Sequence, residues 1–417
     1  MAIFACGLIL FLFFRNVRTL KTAQQLLTVS LLIIFLIGLI AITTFLESKG
    51  WEYAVAGADM EQHLEAAKAI SEGKKWADLS RIGSRFEDVG INTIGYFLYA
   101  GFLAIMIYVP GILPEGFNIY VTYIFQVVLM LDALVRLSKA YGAILGKSEI
   151  SKALLLLGLF PAYLITAAQL LRDTYFIWFI AAVLEYVLST VRIMEKNRIC
   201  VKSIIVIFVL SLMAIIIRPY SMIVFVPLVI FYCGKRNLAT IANISIAIVL
   251  VLGTLLISIA ERFQLVGWAL GRVDLAETLQ FLLFPSIMSQ SNYILNWDDY
   301  FGVASFLGGA NLPGEYYMMA VMNILVFPLV LMGIVLSPKS EIKETVNWLF
   351  ASINVTLLYS LTYNTIYSRH KLLIYFPLVF IAIRGYRAIR QRNRILPVVY
   401  LSAIALFVLL IFLRTAI

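Results

Sequence analysis

Apolar runs about as long as a bilayer is thick recur along almost the whole chain. A transmembrane helix needs about 20 mostly apolar residues, and most of these runs reach or approach that length. Hydrophobic residues make up 62% of the 417 residues and charged residues only 13%. The sequence therefore predicts an all-α polytopic membrane protein, with residues 1–417 forming a single integral membrane domain.

Hydrophobicity and length predict about twelve transmembrane helices, of which the first is the weakest. The position of one further apolar run, residues 93–108, is decided by charge. If this run spanned the membrane, every later loop would change sides, and several basic loops would face outwards. We therefore expect it to enter the outer leaflet without crossing it, since Lys and Arg of short loops stay cytoplasmic. The predicted spans are residues 2–14, 23–46, 118–138, 153–170, 174–191, 203–217, 219–233, 238–259, 316–336, 346–363, 371–386 and 396–414.

With this topology, the predicted cytoplasmic loops hold most of the Lys and Arg, and the outer loops hold most of the Asp and Glu. The net charge of +10 is then explained by membrane orientation. The positive net charge therefore does not indicate a nucleic-acid partner. The three cysteines show no metal-ligand spacing, so no metal site is predicted from them. We expect a multi-pass protein of the cell (inner or plasma) membrane.

Two long outer loops follow from the same topology, over residues 47–117 and 260–315. The first is predicted to contain an amphipathic helix at residues 60–73, with Leu64, Ala67 and Ile70 on its apolar face. The apolar helix at residues 93–108 follows it as a juxtamembrane helix. Neither outer loop has the composition of a separate soluble domain.

The acidic stretch at residues 57–63 lies just outside a predicted span, at the start of the amphipathic helix. A carboxylate held at the membrane surface can remove a proton from an acceptor hydroxyl, which makes Asp59 the candidate general base. Glu61 is a second acid, a ligand of a divalent cation together with Asp59, or a charge near the helix N-terminus. His63 is a candidate contact of the acceptor. A carboxylate in an outer loop is more often solvated and without function, so Asp59 depends on its neighbours.

Three arginines break the charge rule, because Arg172, Arg218 and Arg369 lie at the ends of spans on the predicted outer side. A guanidinium group binds phosphate through paired hydrogen bonds, which strengthen where water is partly excluded. We expect these side chains to bind the phosphate of a lipid carrier. Singly, such an arginine is more often a snorkelling anchor or the partner of a nearby carboxylate. Flanking candidates for the same site are Asp173, Tyr367, His370 and Lys371.

The order of these features resembles the GT-C class of polytopic glycosyltransferases, in particular the protein O-mannosyltransferase and aminoarabinose transferase-like proteins that use polyprenyl-phosphate donors. Residues 59–73 stand where that family has an acidic motif followed by an Ala-rich helix ending in Gly. Arg218 followed by Pro is similar to an Arg-Pro pair of the family, and residues 369–377 resemble its late basic motif. Met60 replaces the usual second acid and His63 the usual aromatic residue.

The resemblance implies a GT-C-like bundle and sugar transfer by inversion on the non-cytoplasmic face, with Asp59 as base and a glycan, lipid or protein as acceptor. An O-antigen or exopolysaccharide repeat-unit polymerase or ligase, with a polyprenyl-diphosphate donor, is the alternative. A lipid-linked oligosaccharide flippase would need polar residues through the bundle centre. Asp132 and Glu185 lie there, and hydrogen bonding inside the bundle explains them about as well. No cofactor is predicted for certain, and a divalent cation stays open.

Overall fold

A computed structural model describes residues 1–55, 58–74, 91–108, 114–188, 201–218, 221–232, 236–262, 315–362, 368–392, 400 and 402. This part of the chain is almost entirely helical and contains no strand. Three of its helices, at Thr22–Ser48, Glu115–Leu145 and Leu372–Arg392, are long and apolar enough to cross a bilayer. The structure therefore confirms the all-α class and fits a membrane protein.

The chain forms two compact units by its internal contacts, one up to Met222 and one from Ile223 onwards among the described residues. The helices of the first unit are α1 (Ala2–Val17), α2 (Thr22–Ser48), α3 (Ala58–Ser71), α4 (Ile91–Leu103), α5 (Glu115–Leu145), α6 (Ile150–Leu159), α7 (Pro161–Ala167), α8 (Asp173–Tyr186) and α9 (Val201–Ile217). The helices of the second unit are α10 (Ser221–Tyr232), α11 (Arg236–Arg262), α12 (Glu315–Val335), α13 (Ile342–Thr362) and α14 (Ser368–Arg392).

Helix α5 is the central element of the first unit, because α1, α2, α6 and α8 all pack against it. Pro114 precedes its first turn with an extended backbone, as expected for a residue that cannot donate a backbone hydrogen bond. The helix ends before Gly146, whose φ of +111° is a conformation that side chains disfavour. Most of its 31 residues are apolar, and most of their side chains are buried.

In the second unit, α14 packs along both α12 and α13, and α11 packs on α13. Helices α12 and α14 cross with their backbones in contact. A Cβ atom built on Gly385 would lie 1.9 Å from the carbonyl oxygen of Leu329, and one on Gly333 would lie 2.3 Å from that of Ile381. Glycines at such crossings allow close packing, which is the main source of helix association in lipid.

The predicted span at residues 153–170 is wrong as a single helix. Helix α6 ends at Leu159, Phe160 has an extended backbone with ψ of 115°, and Pro161 starts α7. Proline disfavours a helical conformation in the residue before it, which explains the break. Helix α7 ends at Ala167, so the segment just before Arg172 is not α-helical.

The predicted juxtamembrane helix at residues 93–108 is present as α4, which continues into a π-helix at Ala104–Tyr108. Asn118 in α5 donates a hydrogen bond of 3.2 Å to the carbonyl oxygen of Ile107 in this π-helix. A side-chain amide thus satisfies a backbone acceptor where the helical hydrogen bonding changes. The predicted outer loop at residues 260–315 and the last predicted span, 396–414, lie almost entirely outside the described residues.

The apolar face predicted for the amphipathic helix is confirmed in part. Ala67 is fully buried, Ile70 packs against the buried cluster of α3, and Leu64 is half-buried. The buried side of α3 is wider than predicted, because Met60, His63 and Ala66 are also buried. Small residues allow α3 to approach α4, and this contact determines which side chains of α3 are buried. Hydrophobicity alone does not predict such a contact.

Candidate functional site

The acidic helix α3 is fixed on α4 through small residues. Ala66 and Ala69 of α3 pack in one buried cluster with Tyr96 and Ala100 of α4. Alanines at this spacing leave room for the large Tyr96 ring between the two helices. The contact therefore brings the first turns of α3 over the aromatic residues of α4.

The turn that leads into α3 has an unusual backbone. Tyr53 and Ala54 have φ values of +53° and +57°, in the left-handed region that residues other than glycine rarely adopt. The hydroxyl of Tyr123 in α5 lies 3.2 Å and 3.3 Å from the carbonyl oxygens of these two residues and donates to them. The Glu52 carboxylate raises the pKa of the Tyr53 phenol. The first turns of α5 thus hold the turn in place.

A buried histidine and a buried arginine both contact the ring of Tyr96. The His63 ring is stacked with it, 5.3 Å between centroids, and lies edge-on to Tyr99 at 4.9 Å. The guanidinium carbon of Arg172 lies 3.5 Å from the centroid of the Tyr96 ring. His63 and Arg172 are only 2% and 1% exposed. A cation over an aromatic face in a dry setting gains from the ring quadrupole, so Tyr96 fixes the guanidinium group.

The segment that carries Arg172 also contacts the residue beside Asp59. The backbone N–H of Leu170 donates to the sulfur of Met60 over 3.3 Å, and Met60 is 1% exposed. Asp59 itself lies in the first turn of α3. Its carboxylate is outside the described side chains, so a direct contact between Asp59 and Arg172 stays a prediction.

Arg218 forms a buried ion pair with Asp173. Its Nε donates to Oδ1 over 3.1 Å, and its Nη2 donates to Oδ1 and Oδ2 over 2.8 Å and 2.7 Å. Asp173 follows Arg172 directly in the sequence, but it pairs with Arg218, whereas Arg172 lies over the Tyr96 ring. A buried ion pair needs such hydrogen bonding to offset the loss of hydration. Most of the Arg218 charge is therefore balanced within the protein.

Gly95 allows Arg218 to approach α4. A Cβ atom at Gly95 would lie 2.3 Å from the carbonyl oxygen of Ile216 and 3.0 Å from that of Ile217. Arg218 follows these residues at the end of α9. The backbone contact thus brings the Arg218–Asp173 pair close to Tyr96, the residue after Gly95.

Polar atoms without a partner surround the Arg172 segment. Thr166 Oγ1, Gln169 Nε2 and Thr174 Oγ1 are buried and have no hydrogen-bond partner in the described part of the protein. A buried polar atom left unpaired costs about 1–3 kcal/mol, and such atoms are normally paired with water or a ligand. On the same side of α5, the Gln126 side chain donates to the Tyr99 hydroxyl over 2.9 Å. The cluster can therefore donate several hydrogen bonds to an anionic, oxygen-rich ligand.

No protein-family model, curated protein or solved structure matches this chain. The chemistry of the site therefore follows from the residues that form it. Within the described ranges, no group of three or more His, Cys, Asp and Glu side chains could hold a metal ion. The cluster of His63, Tyr96, Arg172, Asp173 and Arg218 is instead rich in cations and aromatic rings.

The remaining predicted site residues are described only in part. Glu61 is exposed on α3. Arg369, His370 and Lys371 lie in the first turn of α14, in the second unit, with side chains outside those described, and Tyr367 also lies outside the described residues. Sequence reasoning missed the roles of Tyr96, Tyr99 and Gln126. The three-residue spacing of Tyr96 and Tyr99 on an apolar helix was the available signal.

Proposed function

We propose that this protein is a multi-pass membrane glycosyltransferase that moves a sugar from a polyprenyl-phosphate carrier to an acceptor hydroxyl on the non-cytoplasmic face. The observation that carries the proposal is the Arg172 guanidinium, buried on Tyr96 in a segment that also contacts Met60 of the acidic helix. Sugar transfer from a lipid phosphate needs a base for the acceptor and a cation for the leaving group. The acidic helix and Arg172 supply these two groups.

In the proposed reaction, the acceptor oxygen attacks the anomeric carbon while the bond from that carbon to the phosphate oxygen breaks. The Asp59 carboxylate takes the proton of the acceptor hydroxyl. The electron pair of the broken bond stays on the polyprenyl phosphate, where Arg172 stabilises the charge. A single displacement of this kind inverts the anomeric centre. The buried polar atoms of Gln169 and Thr174 are suited to bind the phosphate or sugar oxygens.

Further residues are proposed to support this reaction in different ways. Arg218 is proposed to act indirectly, because its ion pair with Asp173 balances most of its charge and fixes the segment beside Arg172. Arg369, Lys371 and Tyr367 stay predicted phosphate ligands, as the sequence indicated. Glu61 is proposed to act through its charge near the start of α3, since its side chain is exposed.

The direct test replaces Asp59 by Asn in the full-length protein reconstituted in nanodiscs. Transfer from undecaprenyl-phosphate-linked hexoses and pentoses to envelope lipid and glycan acceptors is followed by mass spectrometry. We expect the Asp59→Asn variant to lose about 10²–10⁴-fold in rate, the usual contribution of a general base. Glu65→Gln is the matched control, because Glu65 is exposed on the same helix. It should keep the rate within about twofold.

Equal transfer by Asp59→Asn and wild type would remove Asp59 as the base. The lipid that copurifies with the protein gives an independent readout by mass spectrometry. A polyprenyl monophosphate with one sugar is the expected ligand. A diphosphate that carries an oligosaccharide would replace the proposal with a repeat-unit polymerase or ligase.

A further inference from the structure

One end of the second unit brings together the starts of α11 and α13, the loop before α13 and the last turns of α14. The Nζ of Lys343 donates to the side-chain oxygen of Asn237 over 3.2 Å, which joins the starts of α13 and α11. The Nη1 of Arg384 donates to the carbonyl oxygen of Glu341 over 3.1 Å, which joins α14 to the loop. We call these four segments the basic end.

Six cationic side chains are exposed at the basic end. They come from every one of its segments, and three of them lie within the last six residues of α14. The six residues are Arg236, Lys339, Lys343, Arg387, Arg390 and Arg392.

The carboxylates at the basic end are held by a buried arginine. Arg384 is 5% exposed and forms ion pairs with both Glu341 and Glu344. Its Nη1 also donates to the Thr345 hydroxyl over 2.6 Å, and the Tyr232 hydroxyl donates to Glu344 over 2.7 Å. Both carboxylates are thus paired with Arg384, and Glu344 is the more buried of the two. Among the described residues of this end, seven cations against two carboxylates leave a net charge of +5.

Exposed apolar side chains lie near these cations in the sequence, at the starts of the same helices. Leu238 is 55% exposed, two residues after Arg236, and Ile342 is 46% exposed, next to Lys343. A soluble polyanion such as a nucleic acid gains nothing from these apolar residues. A lipid matches both features, because its phosphate meets the cations and its acyl chains meet the apolar side chains.

We propose that the basic end is a binding surface for anionic glycerophospholipids, which are held through their headgroup phosphates. This proposal does not depend on the proposed glycosyltransferase reaction. Guanidinium groups form paired hydrogen bonds to phosphate, and three of them are concentrated at the end of α14. Each basic residue near an anionic membrane surface contributes about a fivefold preference for anionic over neutral lipid.

The test uses the full-length protein in mixed micelles that contain equal amounts of phosphatidylglycerol and phosphatidylcholine. Lipids retained after gel filtration are counted by mass spectrometry. We expect the wild type to retain mainly phosphatidylglycerol. The triple variant R387Q/R390Q/R392Q should lose at least fivefold of this enrichment. The triple lysine variant R387K/R390K/R392K keeps the charge and should retain most of the enrichment.

The matched control is K49Q/K68Q/K74Q, which removes the same charge from three exposed residues of the first unit, in the loop predicted to face outwards. It should change the enrichment by less than about twofold. An equal loss in both glutamine variants would overturn the proposal, because it would show a general charge effect. An unchanged enrichment in R387Q/R390Q/R392Q would overturn it as well. So would displacement of the bound phosphatidylglycerol by inorganic polyphosphate, which would identify a site for soluble polyanions.

Discussion

Buried charged residues are arranged differently at the two ends of the α5–α8 helix pair. Near the C-terminal ends of these helices, Asp132 and Glu185 meet Arg136 and Lys139. Arg136 donates to both carboxylates over 2.7 Å, and the Trp178 indole donates to Asp132 over 2.7 Å. Two acids balance two bases, and side-chain hydrogen bonds complete the network.

Near the N-terminal ends of the same helices, Arg172 and Arg218 face one acid among the described side chains, Asp173. An aromatic ring supports Arg172, and buried polar atoms of Gln169 and Thr174 have no partner in the described protein. Balanced charge with full hydrogen bonding is typical of a structural connection between helices. Buried guanidinium groups, together with polar atoms that have no partner among the described residues, are the arrangement expected of the proposed anion site.

The largest effect should come from breaking the balanced end. Asp132 is fully buried and also accepts a hydrogen bond of 2.8 Å from the Asn16 side chain. Replacement of Asp132 by Ala removes one of the two carboxylates that pair with Arg136, and we expect a loss of about 3–5 kcal/mol in the free energy of unfolding. Thermal unfolding in nanodiscs measures it. Glu185→Gln, at a partly exposed position, should cost less. A melting temperature unchanged by Asp132→Ala would show that this network does not stabilise the bundle.

The next effect distinguishes the two ends by activity. Arg172→Lys keeps the charge but removes the planar group that lies over Tyr96, so we expect kcat/KM to fall about 100-fold. The free energy of unfolding should fall by only about 1 kcal/mol. Arg136→Lys is the control at the balanced end, where activity should change only with the folded fraction. If the activity of both variants falls only as much as their folded fraction, the difference in charge between the two ends does not contribute to catalysis.

The smallest effect tests how the cation-rich end is assembled. A methyl group at Gly95 meets the Ile216 carbonyl oxygen, so Gly95→Ala should cost about 1–3 kcal/mol in stability and displace Arg218. Gly101→Ala is the matched control on the same helix, because nothing lies within 4 Å of its added Cβ. That change should raise stability by about 0.5–1 kcal/mol. Equal melting temperatures for the two variants would contradict the close approach of α4 and α9.

The sequence was a good guide to helices and to unusual charges, and a poor guide to contacts between distant residues. Apolar runs predicted the positions of α2 and α5, and the charge rule singled out Arg172 and Arg218. Pairing was not predictable, because Arg172 and Asp173 are neighbours in sequence but point to different partners. The partner of each residue depends on how α4 and α9 pack, which no local sequence pattern predicts.

Some structural features had a signal in the sequence, but the prediction followed the hydrophobicity of the surrounding residues instead. Pro161 marked the break between α6 and α7, yet the apolar run around it favoured one long span. The choice of Met60 and His63 over Leu64 as buried residues of α3 depends on the alanines that face α4. The division into two units leaves no change in composition along the chain.

The left-handed turn at Tyr53 and Ala54 couples the acidic helix mechanically to α5. Each such residue carries about 1–3 kcal/mol of backbone strain, which persists only while the surrounding structure imposes it. Here the Tyr123 hydroxyl stabilises the left-handed backbone by donating hydrogen bonds to both carbonyl oxygens. Under the proposed function, a ligand that shifts this part of α5 would also shift the turn that precedes α3 and Asp59.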